Sequence, residues 1–387
     1  MQTNKNLVRV LNIQKVLQQI YNYGPISRSQ ISKNLKLNKV TVSDIVLELL
    51  NKNYLVELGQ GDSTKNGGRR PTLLEFNAHL GYVVNFDLGY NYIDCMFNSL
   101  DGTVLSSERY SASDVPIEER LNLMISLARN KSIDASIPLL GISVAIHGIV
   151  DKNKVLYTPF IDFKGLDIAQ ILENKLQVPV LLQNEANLSV IYERDFESHD
   201  DIDNIVCVSI HKGIGAGIIL NNHLYTGKHG EAGEIGHTVI FNMQDLMNRS
   251  VCTIEELCSE DAILNIARQK VGNSNLQHRE LIEEYKKCNP KIISLFDDFC
   301  FYIGQLIYNT IVTLDPKRVA INSVFISEIP ELLEKIKKNI PHLTDGETQV
   351  YIVNDVYNAT LLGGCSTIIH HILEMQSGQL TFPLAQQ

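Results

Sequence analysis

The hydrophobic positions of the first eighty residues change period once, and the change divides helices from strands. Val10, Ile13, Leu17 and Ile20 share one helical face, which stops at Tyr23-Gly24-Pro25. Ser27-Arg28-Ser29-Gln30 has the Ser-x-x-Gln spacing of a capping box and opens a second helix that buries Ile31 and Leu35. After a tight turn at Lys36-Leu37, Asn38 is placed to cap a third helix. In that helix Val42, Ile45, Val46 and Leu49 recur at i, i+3, i+4 and i+7. The period then becomes two. Tyr54, Val56 and Leu58 alternate, as do Thr72, Leu74 and Phe76, around a polar, Gly-rich stretch from Gly59 to Gly68. Three short helices and a hairpin predict a winged helix over residues 1–78.

The outward start of the third helix carries Lys39, Thr41, Ser43 and Asp44, small polar groups suited to base edges and phosphates. The returning arm of the wing begins Gly67-Gly68-Arg69-Arg70-Pro71, which offers two guanidiniums to a minor groove or to the backbone. Arg28, Asn38, Lys39, Thr41, Ser43, Arg69 and Arg70 are therefore the candidate DNA contacts. Any three-helix bundle has such stripes; the wing and the exposed arginines favour DNA.

Beyond residue 78 the pattern repeats itself. Gly81–Leu88 is an apolar strand that turns at Asn91 into Tyr92–Phe97, and Leu100-Asp101-Gly102 turns again into Thr103-Val104-Leu105. Later, Ile205–Ile210 runs into a Gly-rich turn from His211 to Gly217, returns through Ile218–Leu220 and turns at Asn221-Asn222 into His223-Leu224-Tyr225. Helical segments follow each unit. Two such copies predict stacked α/β lobes with a ligand-sized cleft between them. The first lobe is expected over 79–182 plus about 366–387, the second over 183–365.

Charge sharpens the division. Residues 1–78 hold eleven Lys/Arg against five Asp/Glu, a net +6, and the remainder holds 23 against 39, a net −16, so the total of −10 conceals a basic head on an acidic body. Short segments fluctuate by a few charges, but this asymmetry suits a chain in which only the head meets phosphates. No apolar run approaches the ~18 residues of a membrane helix, and the N-terminus lacks a signal-peptide core. The seven cysteines are odd in number and scattered, which suits reduced thiols in a cytoplasmic protein.

Several motifs stand in a recognisable order. Gly227-Lys228-His229-Gly230-Glu231-Ala232-Gly233-Glu234-Ile235-Gly236-His237 resembles the Gly-x-x-Gly-x-Ala-Gly-Glu-x-Gly-His signature of the ROK family of sugar kinases and repressors. Gln183-Asn184-Glu185-Ala186-Asn187 resembles that family's Asn-Asp-Ala-Asn, and Gly141-Ile142 through Gly148-Ile149-Val150-Asp151 its Gly-Ile-…-Pro-Gly-x-x-Asp strand and loop. The winged helix joined through Gly-Gly-Arg-Arg-Pro is the arrangement of the repressor branch, and Asn-Glu-Ala-Asn is most similar to the xylose-repressor subgroup. The resemblance implies an α/β actin-like (hexokinase/ribonuclease H-like) two-lobed domain behind the N-terminal winged helix-turn-helix.

It also implies a sugar between the lobes, with Asn184, Glu185, Glu234 and His237 as ligands, Glu255 as a further ligand and the Gly148 loop as the floor. Carboxylates, an amide and an imidazole together satisfy hydroxyls that both donate and accept. Each residue has a plainer reading. Asn184 serves equally as a helix cap, Glu185 and Glu234 as surface carboxylates, His237 as a core histidine and Glu255 as part of a solvated helix face. His147 replaces the family's Pro, either as a new ligand contact or as part of a differently shaped loop.

The kinase machinery is altered. The phosphate loop Asp-x-Gly-Gly-Thr reads Asp87-Leu88-Gly89-Tyr90-Asn91, Gly-Thr-Gly reads Gly213-Ile214-Gly215, and the base Asp is Glu185. A late Gly-Gly is Ala320-Ile321-Asn322-Ser323. Phosphoryl transfer is mostly positioning and charge stabilisation, so these losses predict a chain that neither uses ATP nor phosphorylates sugar. The family's zinc motif falls near Leu246–Glu255 with Cys252 out of register and Cys258 beyond it. That is short of the roughly four ligands of a closed site, so no zinc is expected. The expectation is a repressor of carbohydrate-utilisation genes, a homodimer or tetramer on operator DNA, released by xylose or another neutral monosaccharide. An active kinase with a DNA-binding head, or a repressor controlled by a protein partner, are the alternatives.

Overall fold

The computed structural model describes residues 2–60, 70–129, 137–197, 203–241, 251–341 and 348–383. The head consists of α1 (Gln2–Tyr23), β1 (Ile26–Ser27), α2 (Arg28–Leu35), α3 (Lys39–Asn51), β2 (Leu55–Gln60) and β3 (Thr72–Phe76). Its sheet runs β1-β3-β2, all antiparallel. The core closes around Leu17, Ile20, Ile31, Val42, Ile45, Val46, Leu49 and Leu74. Asn38 caps α3 as expected, its Oδ1 accepting the Thr41 N–H at 2.8 Å. Only half of the predicted capping box forms. Ser27 Oγ accepts the Gln30 N–H at 3.3 Å, while the Gln30 side chain turns away to Asn34.

Two details of the head differ from the sequence reading. Val10 is exposed (46%), and Val16 takes the inward position beside Leu17. The first wing arm is also shifted by one residue. Leu55 is buried against Phe76, whereas Leu58 is 52% exposed, because Leu55 pairs with Phe76 and so fixes which face meets the core. The wing tip, with Arg69, lies outside the described residues.

The body holds two five-stranded sheets of one topology. The first comprises β4 (Tyr82–Leu88), β5 (Tyr92–Ser99), β6 (Val104–Ser111), β7 (Leu139–Ile146) and β10 (Val180–Asn184), in the order β10-β7-β4-β5-β6. Its crossovers are α4 (Ile117–Ala128) and, after the small hairpin β8 (Ile149–Asp151) and β9 (Lys154–Tyr157), α5 (Ile168–Leu176). Following α6 (Glu185–Tyr192), the second sheet uses β11 (Ile205–Ile210), β12 (Ile214–Leu220), β13 (His223–Leu224), β16 (Arg318–Ser323) and β17 (Gln349–Ile352), ordered β13-β12-β11-β16-β17. In each sheet an antiparallel three-strand meander is extended by two parallel strands. This is the duplication expected of the actin-like fold.

Between β13 and β16 lie β14 (Val239–Phe241), β15 (Val251–Thr253), α7 (Glu255–Cys258), α8 (Glu260–Val271), α9 (His278–Lys286) and α10 (Pro290–Leu314). The short α11 (Val324–Glu328) and α12 (Glu331–Lys338) follow β16, and α13 (Ala359–Ile372) returns to the first lobe. That return begins at Ala359, earlier than the boundary near residue 366 that the sequence suggested. Every residue of α6 is buried, and α6 and α13 touch along their length. At the crossing a Cβ on Gly363 would lie 1.9 Å from the Leu188 carbonyl oxygen, a contact only glycine permits.

Candidate functional site

The ends of β7, β10 and β11 open on a cavity of about 300 Å³ at the junction of the lobes. Ligands in open α/β sheets gather outside the carboxyl ends of strands, where the chains diverge. All seven residues predicted for the sugar line this cavity: His147, Gly148, Asn184, Glu185, Glu234, His237 and Glu255.

Asn184 ends β10 and caps α6, with Oδ1 accepting the Asn187 N–H (3.1 Å) and Nδ2 donating to the Gly148 carbonyl (2.9 Å). The helix-cap reading of Asn184 thus holds, and the same residue shapes the cavity wall that it lines. Gly148 is held there by close approach, since a Cβ would lie 2.2 Å from the Tyr157 carbonyl oxygen.

Glu185 is a buried carboxylate rather than a surface one. Its Oε1 accepts from Ser209 (2.7 Å), Ser189 (3.1 Å) and Thr360 (3.2 Å), and His211 Nε2 lies 3.5 Å away. Burial favours the neutral acid, but His211, His147 and the Ser209 hydroxyl outweigh it and hold the carboxyl at about 2. His211 answers in kind. Burial opposes its charge, yet Glu185, Glu260 and Asp87 push it up to about 9. The pair is therefore charged at neutral pH.

Glu234, His237 and Glu255 form the opposite wall. His237 Nε2 stands 3.8 Å from Glu234 Oε2 and 3.7 Å from Glu255 Oε1. His237 is exposed (56% of its side chain), not a core histidine. Burial raises the Glu234 carboxyl despite the nearby His237. Glu255 opens α7 and faces the cavity, with Oε2 at 3.5 Å from the Ile214 N–H, so the solvated-face reading is set aside.

His147 points its Nε2 at Asp87 Oδ1 (2.8 Å), with the Tyr92 hydroxyl at 3.4 Å, and it lines both this cavity and a second one of about 530 Å³. That second chamber is bordered by the altered phosphate loop. Tyr90 projects into it with the Lys212 ammonium 4.2 Å from its ring centroid, and Lys212 also lies 5.2 Å from the Phe160 ring. Ile214 is buried in the apolar core of the second lobe and presents no hydroxyl at the turn. Around the family's zinc motif, Cys258 is buried in the same core and Cys252 sits on β15 opposite Ile240. Residues 246–250 of that motif lie outside the described residues. Among the described residues no group of three or more His, Cys, Asp or Glu is placed to hold a metal ion.

In the head, Lys39, Ser43 and Arg70 are exposed and Thr41 is half-buried. Arg28 is engaged with Glu57 at 2.9 Å, so it must release that partner before it can meet a phosphate. Two residues of interest escaped the sequence reading. His211 looked like part of a Gly-rich turn; the signal was its position directly after a buried strand. Val40, 70% exposed at the start of α3, is an apolar side chain where a base-reading helix would touch a thymine methyl.

The description of the ROK family matches residues 83–368. The chain belongs to the ROK family. Among ROK relatives, a xylose repressor of Staphylococcus xylosus is 38% identical over 95% of this chain and 97% of its own length. A xylose repressor of Lactiplantibacillus pentosus is 36% identical, covering 98% and 97%. A solved ROK transcriptional regulator, described as a homologue of the E. coli MLC protein, superposes with a TM-score of 0.76 at 21% identity. It covers 96% of this chain and 98% of that one, so the head and both lobes share its fold. No described helix is long and apolar enough to cross a membrane.

Proposed function

We propose that this ROK chain is a transcriptional repressor whose cleft binds a neutral monosaccharide, with D-xylose the leading inducer, and that occupancy of the cleft releases operator DNA. The observation that carries the reading is the convergence of Glu185, Glu234, Glu255, His211 and His237 on a cavity of about 300 Å³ behind a winged helix. That volume lies at the small end of ligand cavities, suited to one sugar ring. Three carboxylates accept from sugar hydroxyls, and they repel a phosphate, which favours a free sugar over its phosphate ester. The xylose repressors that match this chain from end to end support xylose as the sugar.

The second chamber is not a working nucleotide site in this reading. Tyr90 occupies its mouth, Ile214 replaces a hydroxyl, and Lys212 is held by Asp261 and two aromatic rings. No zinc is required, because Glu255 reaches the cavity from α7 with Ile254 buried beneath it. Lys39, Val40, Thr41 and Ser43 would enter the major groove, with Arg28, Arg69 and Arg70 on the backbone or minor groove and Asn38 holding the helix start. A homodimer would place two such heads on a palindrome.

The test is selection of duplex DNA from a random pool, followed by titration of the complex with D-xylose, D-glucose, glucose 6-phosphate and ATP. A palindromic site released by free xylose supports the proposal. Xylose-dependent ATP hydrolysis would reverse its non-enzymatic part. A selected site that no sugar releases would point to control by a protein partner.

A further inference from the structure

Two buried helices leave the cavity together, and their far ends meet the segment to which α1 of the head is bonded. α6 begins with Glu185, and α13 carries Thr360 in its first turn. Their hydroxyl–carboxylate bond, with Ser189 of α6 bonded to both, ties the two helix starts to the cavity wall. From there the helices pack through Gly363 on Leu188. About 9–15 Å further on, at 1.5 Å per residue, a second buried polar cluster joins the later turns of α13 to Glu193–Glu197, the turn that continues α6. Arg194 pairs with Asp195 (2.6 Å), Asp195 accepts from Ser366 of α13, and Ser366 bonds His370 (3.1 Å).

This far cluster grips the segment that follows α13. His370 Nε2 accepts the Leu380 N–H (3.1 Å), the Asp195 carbonyl accepts the Phe382 N–H (3.0 Å), and Arg194 Nη2 donates to Ser377 Oγ (2.7 Å). The other side of the same segment holds the head. Gln18 and Asn22 of α1 both donate to the Gln379 carbonyl (2.8 and 2.9 Å), Gln14 donates to the Glu374 carbonyl (2.5 Å), and the Thr381 N–H returns to Asn22 (3.0 Å). Aromatic rings run alongside. Phe196 stacks on Phe382 (4.8 Å, 17°), and Phe382 meets Tyr21 of α1 edge-on (5.7 Å), which in turn packs on Phe76 of the wing.

We infer that residues 374–382 are the coupling element of the protein, a strap through which the α6–α13 pair reports occupancy of the sugar cavity to the orientation of α1 and the winged helix. The inference rests on the proposed sugar-responsive function and adds its route. A carboxylate that takes up sugar hydroxyls changes its hold on Thr360 and Ser189, so α6 and α13 shift against each other at the cavity. A close-packed helix pair passes such a shift along its length instead of absorbing it. The strap is hydrogen-bonded both to the far ends of these helices and to α1, so it moves with the helices and carries the head. Gln18, Asn22 and Phe382 are thereby positioning residues: they touch neither sugar nor DNA.

Three full-length proteins test this: wild type, Gln18→Ala with Asn22→Ala, and Phe382→Leu. For each, D-xylose affinity is measured by calorimetry and operator affinity by fluorescence anisotropy with and without D-xylose. The wild type is expected to lose about 5–150-fold in operator affinity on adding sugar, the usual range of allosteric coupling. In both variants sugar affinity and sugar-free operator affinity are expected to stay near wild type, while the sugar-dependent loss shrinks to a small fraction of the wild-type value. A merely structural contact would lower sugar-free operator binding or stability and leave the ratio unchanged, which overturns the inference. Hydrogen exchange of the wild type supplies an independent readout. Xylose is expected to change protection of the Leu380 and Phe382 amides, and unchanged protection in the sugar-bound protein also overturns the inference. A wild type whose strap responds to sugar while operator affinity does not would sink the repressor reading and leave the strap's response to the cavity intact.

Discussion

Replacing His211 with Asn removes the cation that stands between the buried Glu185 and the half-buried Glu260, and the cost follows from the geometry. His211 Nε2 is 3.5 Å from Glu185 Oε1 and Nδ1 is 4.0 Å from Glu260 Oε1, with only 23% of the side chain exposed. The folded protein holds the imidazole at about 9 against an ordinary 6.5. That difference corresponds to about 3 kcal/mol of stability in the charged state. The figure agrees with the ~3–5 kcal/mol typical of breaking a buried ion pair from one side. Because the folded-state value is raised, the contribution is complete below 6.5 and is lost as pH rises through about 9. His211→Asn should therefore destabilise by about 3 kcal/mol near pH 6, and by little near pH 10, where the wild-type imidazole is neutral too. Urea unfolding followed by far-UV circular dichroism at both pH values measures this, since the chain has no Trp to report by fluorescence. In a Glu185→Gln background the same replacement should cost much less, because the charge it compensates is gone. A cost that is the same at both pH values would mean that His211 acts by packing, and the charged-pair account of the cavity would be wrong.

Other perturbations probe other parts of the molecule. Burial first, and Glu197 next, push the Glu193 carboxyl up to about 7 against the Tyr351 hydroxyl bond, and its Oε1 is buried without a partner. A raised carboxyl loses stability as pH climbs from the ordinary value through about 7, so Glu193→Gln should stabilise by about 2–3 kcal/mol above that pH and be neutral near pH 4; thermal melts across the range decide it. Gly363→Ala forces a Cβ to within 1.9 Å of the Leu188 carbonyl oxygen. It should cost more than about 2 kcal/mol by overpacking at the α6–α13 crossing, read as a lowered urea midpoint. If Lys39 meets a phosphate, Lys39→Ala should reduce the slope of log operator affinity against log salt by about 0.9. Anisotropy titrations at several salt concentrations would show an unchanged slope if Lys39 makes no such contact.

The head was legible because its signals are local. A helical stripe needs only its own residues, and Asn38 followed by an apolar repeat reads as a cap before any tertiary contact is known. The wing register was not legible, since Tyr54, Leu55 and Val56 form a continuous apolar run in which period two has no unique phase. The pairing of Leu55 with Phe76, a contact twenty-one residues apart, sets that phase. The site divided in the same way. Asn184, Glu185, Glu234 and His237 stood in recognisable motifs, and the cavity gathers them. Glu255 could be read only with an alternative, because its helix is four residues long and the Gly213 turn that it faces is remote in sequence. His211 carried no motif at all. Its importance comes from the buried carboxylate opposite it, Glu185, which follows β10 of the other sheet and opens α6, and appears only once α6 packs on β11. The lobe boundary moved to Ala359 for a related reason: α13 is buried nearly all round, so its apolar pattern does not say which sheet it covers.

The central claim is that sugar in the cleft controls DNA binding by the head, and one titration tests it most directly. Operator affinity of the full-length protein is measured by anisotropy with increasing D-xylose, beside a Glu185→Gln, Glu234→Gln double variant. The account predicts that xylose weakens operator binding by wild type at least about fivefold, the lower end of typical coupling, and leaves the variant bound to DNA at every sugar concentration. Release of both proteins by xylose, or of neither, would contradict it.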